Sequence, residues 1–498
     1  MITLLRKKKL FIFEFANNHN GSVKQAIKMV DELKKITSKY SNFLDFAIKL
    51  QYRNLKNFIH KNADAKNKYI KRFRDTELLD SDYSKICNYI KRKGFKLIIT
   101  PFDESSVDKA VKDKVDILKI ASCSNNDWTL IEKVVSKKKP VICSTGGLDV
   151  DGIDSLYNFF SKRIEFALLH CISIYPTDKI SDFNMNFLKK MKRRYKNCEI
   201  GYSGHEKEDN FLPIIISAAL GSTIFERHFS ILDNRNEYSI ETNNLNKLLK
   251  ELIKTIQILG IEDKKNNLKE QKTLDLLRRG VFLKKNKKKG SKLNSKDIYL
   301  SFPKSSKDQL SSFSKLSSFL ALKNLYKEQS LLNKDIRDES NLIFIRKIVH
   351  KYKFFLLESG VVLPNNSHVE LSHHHGIKNI EKNGAMLLTA INNSMYCKKI
   401  IALLPNQFHP QHKHFKKVET FHILFGQLTL KKENKIFNLV EGDKIDVYAG
   451  EWHSFWTNKK GVIFEEISTE ALNADSEYFD NKINKIDRIL RKTTILNW

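Results

Sequence analysis

The chain has 498 residues, 41% of them apolar, and a formal net charge of +31; that length exceeds one ordinary core and predicts two or three globular domains. The Lys and Arg residues are spread along the chain without a basic stripe interleaved with aromatics, which reads as a solvated, lysine-biased surface and argues against a nucleic-acid partner. The opening residues 1–10 place their charges after a short apolar patch, so neither a signal peptide nor a membrane span is expected, and six scattered cysteines without a C-x-x-C pair point to a reducing cytoplasm.

In chain order, residues 10–265 give eight apolar runs bounded by turn residues: LFIFEFA (10–16), FLDFAIKLQ (43–51), KLIITPF (96–102), ILKIAS (117–122), PVICSTG (140–146), EFALLHC (165–171), CEIGYSG (198–204) and STIFERHF (222–229). Amphipathic helix patterns such as VKQAIKMVDEL (23–33) fill most of the gaps. Strand then helix, repeated eight times over 1–268, predicts a (β/α)8 TIM barrel of the α/β class. A doubly wound open sheet is the alternative, but no glycine-rich phosphate loop follows the first strand.

Active sites of such barrels lie at the C-terminal strand ends, and polar residues recur there: Glu14, Lys49, Gln51, Thr100, Asp103, Lys119, Ser122, Ser144, Thr145, Ser173, Tyr175, Ser203, His205, Glu226 and His228. Any one of them reads as a strand-end cap; eight strands ending this way read as a site. Two lysines in one mouth suit a small anionic substrate, with Ser122, Ser144 and Ser203 completing a cradle. His205 and His228 close neighbouring strands and can share a divalent ion, or serve only as hydrogen-bonding residues; spacing leaves both open.

The stretches EFANNHNG (14–21), IKLQ (48–51), TPFD (100–103), LKIAS (118–122), STG (144–146), LHC (169–171) with Tyr175 and Pro176, GYSGH (201–205) and FERHF (225–229) resemble the sialic acid synthase family, in that family's order. The resemblance implies that C3 of phosphoenolpyruvate attacks the aldehyde of an open-chain N-acetylated amino sugar such as N-acetylmannosamine. Water adds to the enolpyruvyl carbon, C–O cleavage releases phosphate, and a nonulosonic 2-keto acid remains. By the same resemblance Lys119, Ser122, Ser144 and Ser203 hold phosphoenolpyruvate beside Lys49, and His205 and His228 bind Mn²⁺ or Mg²⁺. Glu14 and Glu226 orient water and manage protons, Gln51 and Tyr175 contact the sugar, and Thr100 and Ser173 are further substrate-binding candidates.

Departures gather on that sugar side. Cys123 and Ser124 stand where the family has Gly and an acid, Ser173 where it has Asn, and Gly204 where it has Asp; its Asp-His-x-x-Ser loop is shortened to DNRNEYS (233–239). Two rival readings are a barrel aldolase using Lys119 or Lys49 as a Schiff base, and a non-catalytic sugar-binding sensor.

Residues 275–340 carry a weak repeat, KKKGSKLNSKDI (287–298) and LYKEQSLLNKDI (325–336), that with Arg278 and Arg279 is similar to the small antifreeze-like (SAF) α+β domain of sialic acid synthases. In that family it reaches over a partner barrel and supplies an arginine, implying a domain-swapped type of homodimer; here FPKSSKD (302–308) offers only Lys304 and Lys307.

Residues 345–470 read as short alternating strands, with almost no helix pattern after residues 377–380, a small all-β barrel, and 471–498 as a helical tail. Within HPQHKHFKKVETFHILFG (409–426), His412 and His414 share one strand face. With Glu419 and, beyond Gly442, His453 they form a 3-His-1-carboxylate set resembling the two cupin motifs, which implies a transition metal (Zn, Fe, Mn or Ni). His409 and His422 fall outside the pattern and read as ordinary loop or strand residues. Cupins serve many chemistries, so the domain reads equally as a second enzyme, a sensor or a dimerising module.

Overall fold

The computed structural model describes residues 8–64, 66–232, 235–365, 367–469 and 475–496. The chain divides into two compact units, Met1–Lys264 and Lys265–Trp498. No helix among the described residues is long and apolar enough to cross a membrane.

The first unit is the expected closed parallel barrel, β1 (Lys9–Ala16), β2 (Leu44–Tyr52), β3 (Lys96–Pro101), β4 (Ile117–Ile120), β5 (Val141–Ser144), β6 (Phe166–Cys171), β7 (Glu199–Gly204) and β8 (Ile224–His228), with β8 hydrogen-bonded back to β1. Successive strand residues face opposite sides. One parity therefore packs outward against the helices, in a core that includes Phe11, Phe13, Ile48, Leu97, Leu118 and Phe225. The other parity fills the barrel with a floor of Leu10, Ile12, Ala47, Ile98, Ile117, Ile142, Ala167, Leu169 and Ile224.

That floor decides where the chemistry can be. Two residues beyond each floor residue, on the same inward parity, stand Glu14 after Ile12, Lys49 after Ala47, Thr100 after Ile98, Lys119 after Ile117, Ser144 after Ile142 and Glu226 after Ile224. Six of the eight strands thus carry an apolar plug below and a polar group above. Asp103 has a different role: its carboxylate caps the helix Glu104–Lys112, accepting from the Ser106 N–H at 2.8 Å, and also accepts from the Asn54 N–H at 2.8 Å.

In the second unit the repeat folds as expected of two equivalent copies. Strands Gly280–Leu283 and Ile298–Ser301 pair, as do Lys292–Leu293, Phe319–Ala321 and Ile336–Asp338, around Val281, Leu293, Phe319 and Leu331. Each copy buries the aspartate of its Lys-Asp-Ile segment against lysine: Asp297 on Lys285 and Lys287, Asp335 on Lys323.

Two expectations about the rest are corrected. Residues Asn341–Ser359 form a 19-residue helix whose Ile348, Tyr352 and Leu356 pack on the sheet that follows; its apolar residues lie all round the helix, so no single stripe announces it. The end of the chain is not a helical tail: after the short helices Asn481–Asn484 and Arg488–Arg491, the strand Lys492–Ile495 pairs antiparallel with His368–Ser372. Among the described residues the sheet has ten strands, two of them long, Glu419–Lys432 and His453–Thr469, so the part that follows the helix is a β-sheet domain built from longer strands than expected.

Gly201 shows how closely the barrel is packed: a Cβ there would stand 2.4 Å from the backbone oxygen of Ile224 and 2.6 Å from Leu169 Cδ2. Gly201→Ala should therefore cost about 1–3 kcal/mol of stability in chemical denaturation; an unchanged unfolding curve would contradict this packing.

Candidate functional site

Above the floor, the register sets Glu14 opposite Lys49 on one side and His228 on the other, and Ser203 opposite Glu226. The side chains converge accordingly. Lys49 Nζ pairs with Glu14 and lies 2.9 Å from Glu226 Oε1; Lys119 Nζ lies 3.9 Å from the other oxygen of Glu226 and donates to Ser144 Oγ at 2.5 Å; Ser203 Oγ donates to Glu226 at 2.9 Å. All of these groups are buried.

Two ammonium groups and two carboxylates therefore share one enclosed volume. Burial raises the Glu226 carboxyl, but the Lys119 and Lys49 ammonium groups outweigh it and hold the carboxyl down to about 2. Burial lowers Lys49, but Glu14 and Glu226 together carry it above its usual value. Lys119, with only Glu226 as a distant counter-charge, is left lowered by its burial. Glu226 Oε2 and Thr100 Oγ1 are buried without hydrogen-bond partners, so the cluster retains unused polar capacity facing the mouth.

The remaining expected residues sit around this cluster. His205 and His228 lie with ring centroids 5.3 Å apart, and His205 Nδ1 is engaged with the Ile172 carbonyl at 2.8 Å. Burial, then the neighbouring His205 and Lys49, push His228 well below its usual value, which leaves it neutral and able to ligate. The pair fits a divalent cation with open positions. Tyr175 is 53% exposed, its ring 4.3 Å from that of His205. A Cβ on Gly146 would meet Ser173 Oγ at 2.4 Å and Ser122 Oγ at 2.7 Å, so this glycine clears the place where those hydroxyls converge. Gln51 pairs in register with Thr100. Asp233 lies outside the described residues.

Sequence reasoning did not find Glu206. Its carboxylate is fully buried, accepts from Arg227 and from Tyr202 OH at 3.0 Å, and fills the space above Gly204, where a Cβ would stand 2.3 Å from Glu206 Oε2. An acid two residues further on thus takes the volume that a side chain at 204 would need.

The second site lies in the C-terminal sheet. His412 and His453 are register partners with ring centroids 4.1 Å apart, and one ligand atom from each of His412, His414 and His453 falls within 4.8 Å of the others. Glu419 stands 3.4 Å from both His414 Nε2 and His453 Nε2. The Nδ1 atoms of the three rings are held by the backbone carbonyls of Pro410, Asp475 and Glu451, which turns each Nε2 toward the common centre. Glu419 Oε2 and His453 Nε2 are buried without hydrogen-bond partners, and the donor set fits a transition metal.

His409 is not an ordinary strand residue. It is buried in the same cavity, its Nε2 3.1 Å from that of His374, and its ring is stacked 4.5 Å from Phe455. His422 is partly exposed beside Glu465.

With this geometry in place, the NeuB family profile matches residues 43–264. An uncharacterized protein of Methanocaldococcus jannaschii is 32% identical over 298 residues, 59% of this chain and 84% of that one. The N,N'-diacetyllegionaminic acid synthase of Campylobacter jejuni is 25% identical over 296 residues, 57% of this chain and 87% of its own. Among solved structures, a protein assigned as spore coat polysaccharide biosynthesis protein E from Chromobacterium violaceum aligns with TM-score 0.63 and 33% identity, covering 66% of this chain and 100% of that one. The barrel with its charged mouth is that of a transferase of the sialic and nonulosonic acid synthase type. The chain belongs to the NeuB family. About a third of it has no counterpart in the C. violaceum structure.

The depressed carboxyl has a measurable consequence. Because the folded Glu226 value lies below the ordinary 4.5, its stabilisation is present above about pH 4.5 and is lost as the pH falls toward 2. Comparing chemical denaturation of the native chain and Glu226→Gln across that range should show on the order of 3 kcal/mol of acid-dependent stability missing from the variant. Parallel pH curves would contradict the pairing.

Proposed function

We propose that this chain condenses phosphoenolpyruvate with the aldehyde of an N-acetylated amino sugar to give a nonulosonic 2-keto acid and inorganic phosphate. The observation that carries the proposal is the buried Lys49–Glu14–Glu226–Lys119 cluster at the C-terminal ends of the strands, beside an imidazole pair. Lys119 and the hydroxyls of Ser122, Ser144 and Ser203 hold the phosphate and carboxylate, a set of donors suited to a small trianion. Lys49, held protonated, sits beside them as fixed positive charge.

In the reaction a C–C bond forms between C3 of phosphoenolpyruvate and the aldehyde carbon, and the aldehyde oxygen takes a proton. Water adds at C2 and loses one proton, and as the C2–O bond to phosphate breaks the remaining C2 hydroxyl becomes the carbonyl, its proton leaving with the phosphate. Glu14 and Glu226 orient that water and accept its proton. His205 and His228 would hold a divalent cation, which when bound would supply Lewis acidity toward the aldehyde. Gln51, Ser173 and Tyr175 face the sugar, Thr100 is a further substrate contact, and the changes at Cys123 and Ser173 fit an acceptor other than N-acetylmannosamine.

Residues 275–340 act, in this proposal, as the antifreeze-like lid of a homodimer, and the C-terminal sheet as a cupin that holds its own metal on His412, His414, Glu419 and His453. The Schiff-base aldolase reading has one observation in its favour, the lowered Lys119 amine; borohydride trapping with pyruvate would expose it.

Phosphate release from phosphoenolpyruvate across a panel of aldehyde amino sugars with Mn²⁺ is the assay. His228→Ala should lower it by about a hundredfold or more with the fold retained, whereas the His412→Ala, His453→Ala double variant should leave it unchanged. Retained activity in His228→Ala would overturn the assignment of the barrel pair.

A further inference from the structure

The cavity that holds the C-terminal histidines has a volume of about 910 Å³ and is lined by five cationic side chains, Lys399, Lys417, Arg488, Arg491 and Lys492, against three carboxylates, Glu370, Glu419 and Glu466. Three of the cations are neutralised. Lys399 and Lys417 both hold Glu466, at 3.1 and 2.8 Å, Lys417 also pairs with Glu419, and Lys492 lies 3.0 Å from Glu370. Arg488 and Arg491 have no ion pair among the described residues.

Arg491 is the informative one. It is only 7% exposed, lines the cavity, and has as its nearest ring partner Tyr478, 5.4 Å from the guanidinium carbon. Tyr478 is in turn stacked on His412, with ring centroids 5.4 Å apart, and lies 4.8 Å from the ring of His374. One aromatic ring thus separates the guanidinium from the candidate metal ligands. A charge withdrawn from water without a counter-charge is costly, and a charge of this kind kept in a cavity wall is explained when a ligand brings the counter-charge in.

We propose that this cavity is a second small-molecule site whose ligand is a sugar-sized organic anion. Its carboxylate or phosphate lies on Arg491, with Arg488 at the margin, and its hydroxyl or carbonyl oxygens face His412, His414, His453 and Glu419. The planar guanidinium fork matches either anionic group in a bidentate manner, and the volume lies within the range of small-molecule pockets. A neutral sugar would leave Arg491 without a counter-charge and is a poor ligand. The site stands on the C-terminal cavity alone, and the barrel reaction is not needed for it. A sugar acid, the class of product proposed for the barrel, is one source of the ligand; a phosphorylated amino sugar is the other.

The test uses the full chain carrying His228→Ala, so that bound Co²⁺ reports the C-terminal histidines, and titrates it with N-acetylneuraminate, with a hexosamine 6-phosphate and with neutral N-acetylmannosamine. Visible absorption of Co²⁺ and equilibrium binding are read together. At least one anion should bind and alter the spectrum while the neutral sugar does not; a response to the sugar acid alone or to the phosphate alone identifies the source. Arg491→Met should weaken that binding by about tenfold or more without changing Co²⁺ stoichiometry. Should Arg491→Met fail to fold, Arg491→Lys, which keeps the charge and loses the fork, should still bind several-fold more weakly. Absence of binding by both anions, equal binding of the neutral sugar, or anion affinity unchanged in these Arg491 variants would overturn the proposal.

Discussion

Four charges enclosed in one barrel must balance one another, and much of the first unit is arranged around that requirement. Lys49 and Lys119 face Glu14 and Glu226 above an apolar floor, where a single unpaired charge would be strongly destabilising. The arrangement is internally neutral, yet uneven. Lys49 is shared by two carboxylates, while Lys119 has a serine hydroxyl and a carboxylate oxygen at 3.9 Å. The lysine with spare capacity is therefore Lys119, beside the carboxylate oxygen Glu226 Oε2, which lacks a hydrogen-bond partner. An arriving anion finds its counter-charge there without dismantling the Lys49 pairs, which is the physical ground for the proposed phosphoenolpyruvate site.

The barrel is legible in the sequence because parity enforces it. A strand that reads apolar, outward, polar at its C-terminal end, as in Ile12 to Glu14 or Ile117 to Lys119, states both its direction and its mouth. The C-terminal candidate ligands can be picked out in the sequence because His412 and His414 are two residues apart on one strand and Glu419 begins the next. What stays hidden depends on side-chain volume or on distant pairing. The exchange of Gly204 for Glu206 is invisible because it passes through the space a Cβ would fill. His374 and His409 come together across elements far apart in sequence. The helix Asn341–Ser359 buries Ile348, Tyr352 and Leu356 but leaves Leu342, Phe354 and Leu357 exposed, so its periodicity is blurred. The strand Lys492–Ile495 is four residues long and begins with lysine.

The two sites differ in their solution to the same problem. In the barrel, opposite charges are mutually satisfied before any ligand arrives. In the C-terminal cavity, burial and neighbouring imidazoles hold His412 well below its usual value and His409 down to about 3. Neutral rings and a carboxylate then face an enclosed centre, while one wall keeps an unpaired guanidinium. The first design suits a reaction that moves protons among fixed charges; the second suits capture of a cation and an anion together.

The most direct measurement on the central claim is the affinity of phosphoenolpyruvate for the Mn²⁺-loaded chain and for Lys119→Met, by calorimetry without the sugar. Loss of binding by roughly a hundredfold with barrel Mn²⁺ occupancy unchanged is expected if Lys119 is the anion's counter-charge. Equal affinity in the two proteins would contradict it.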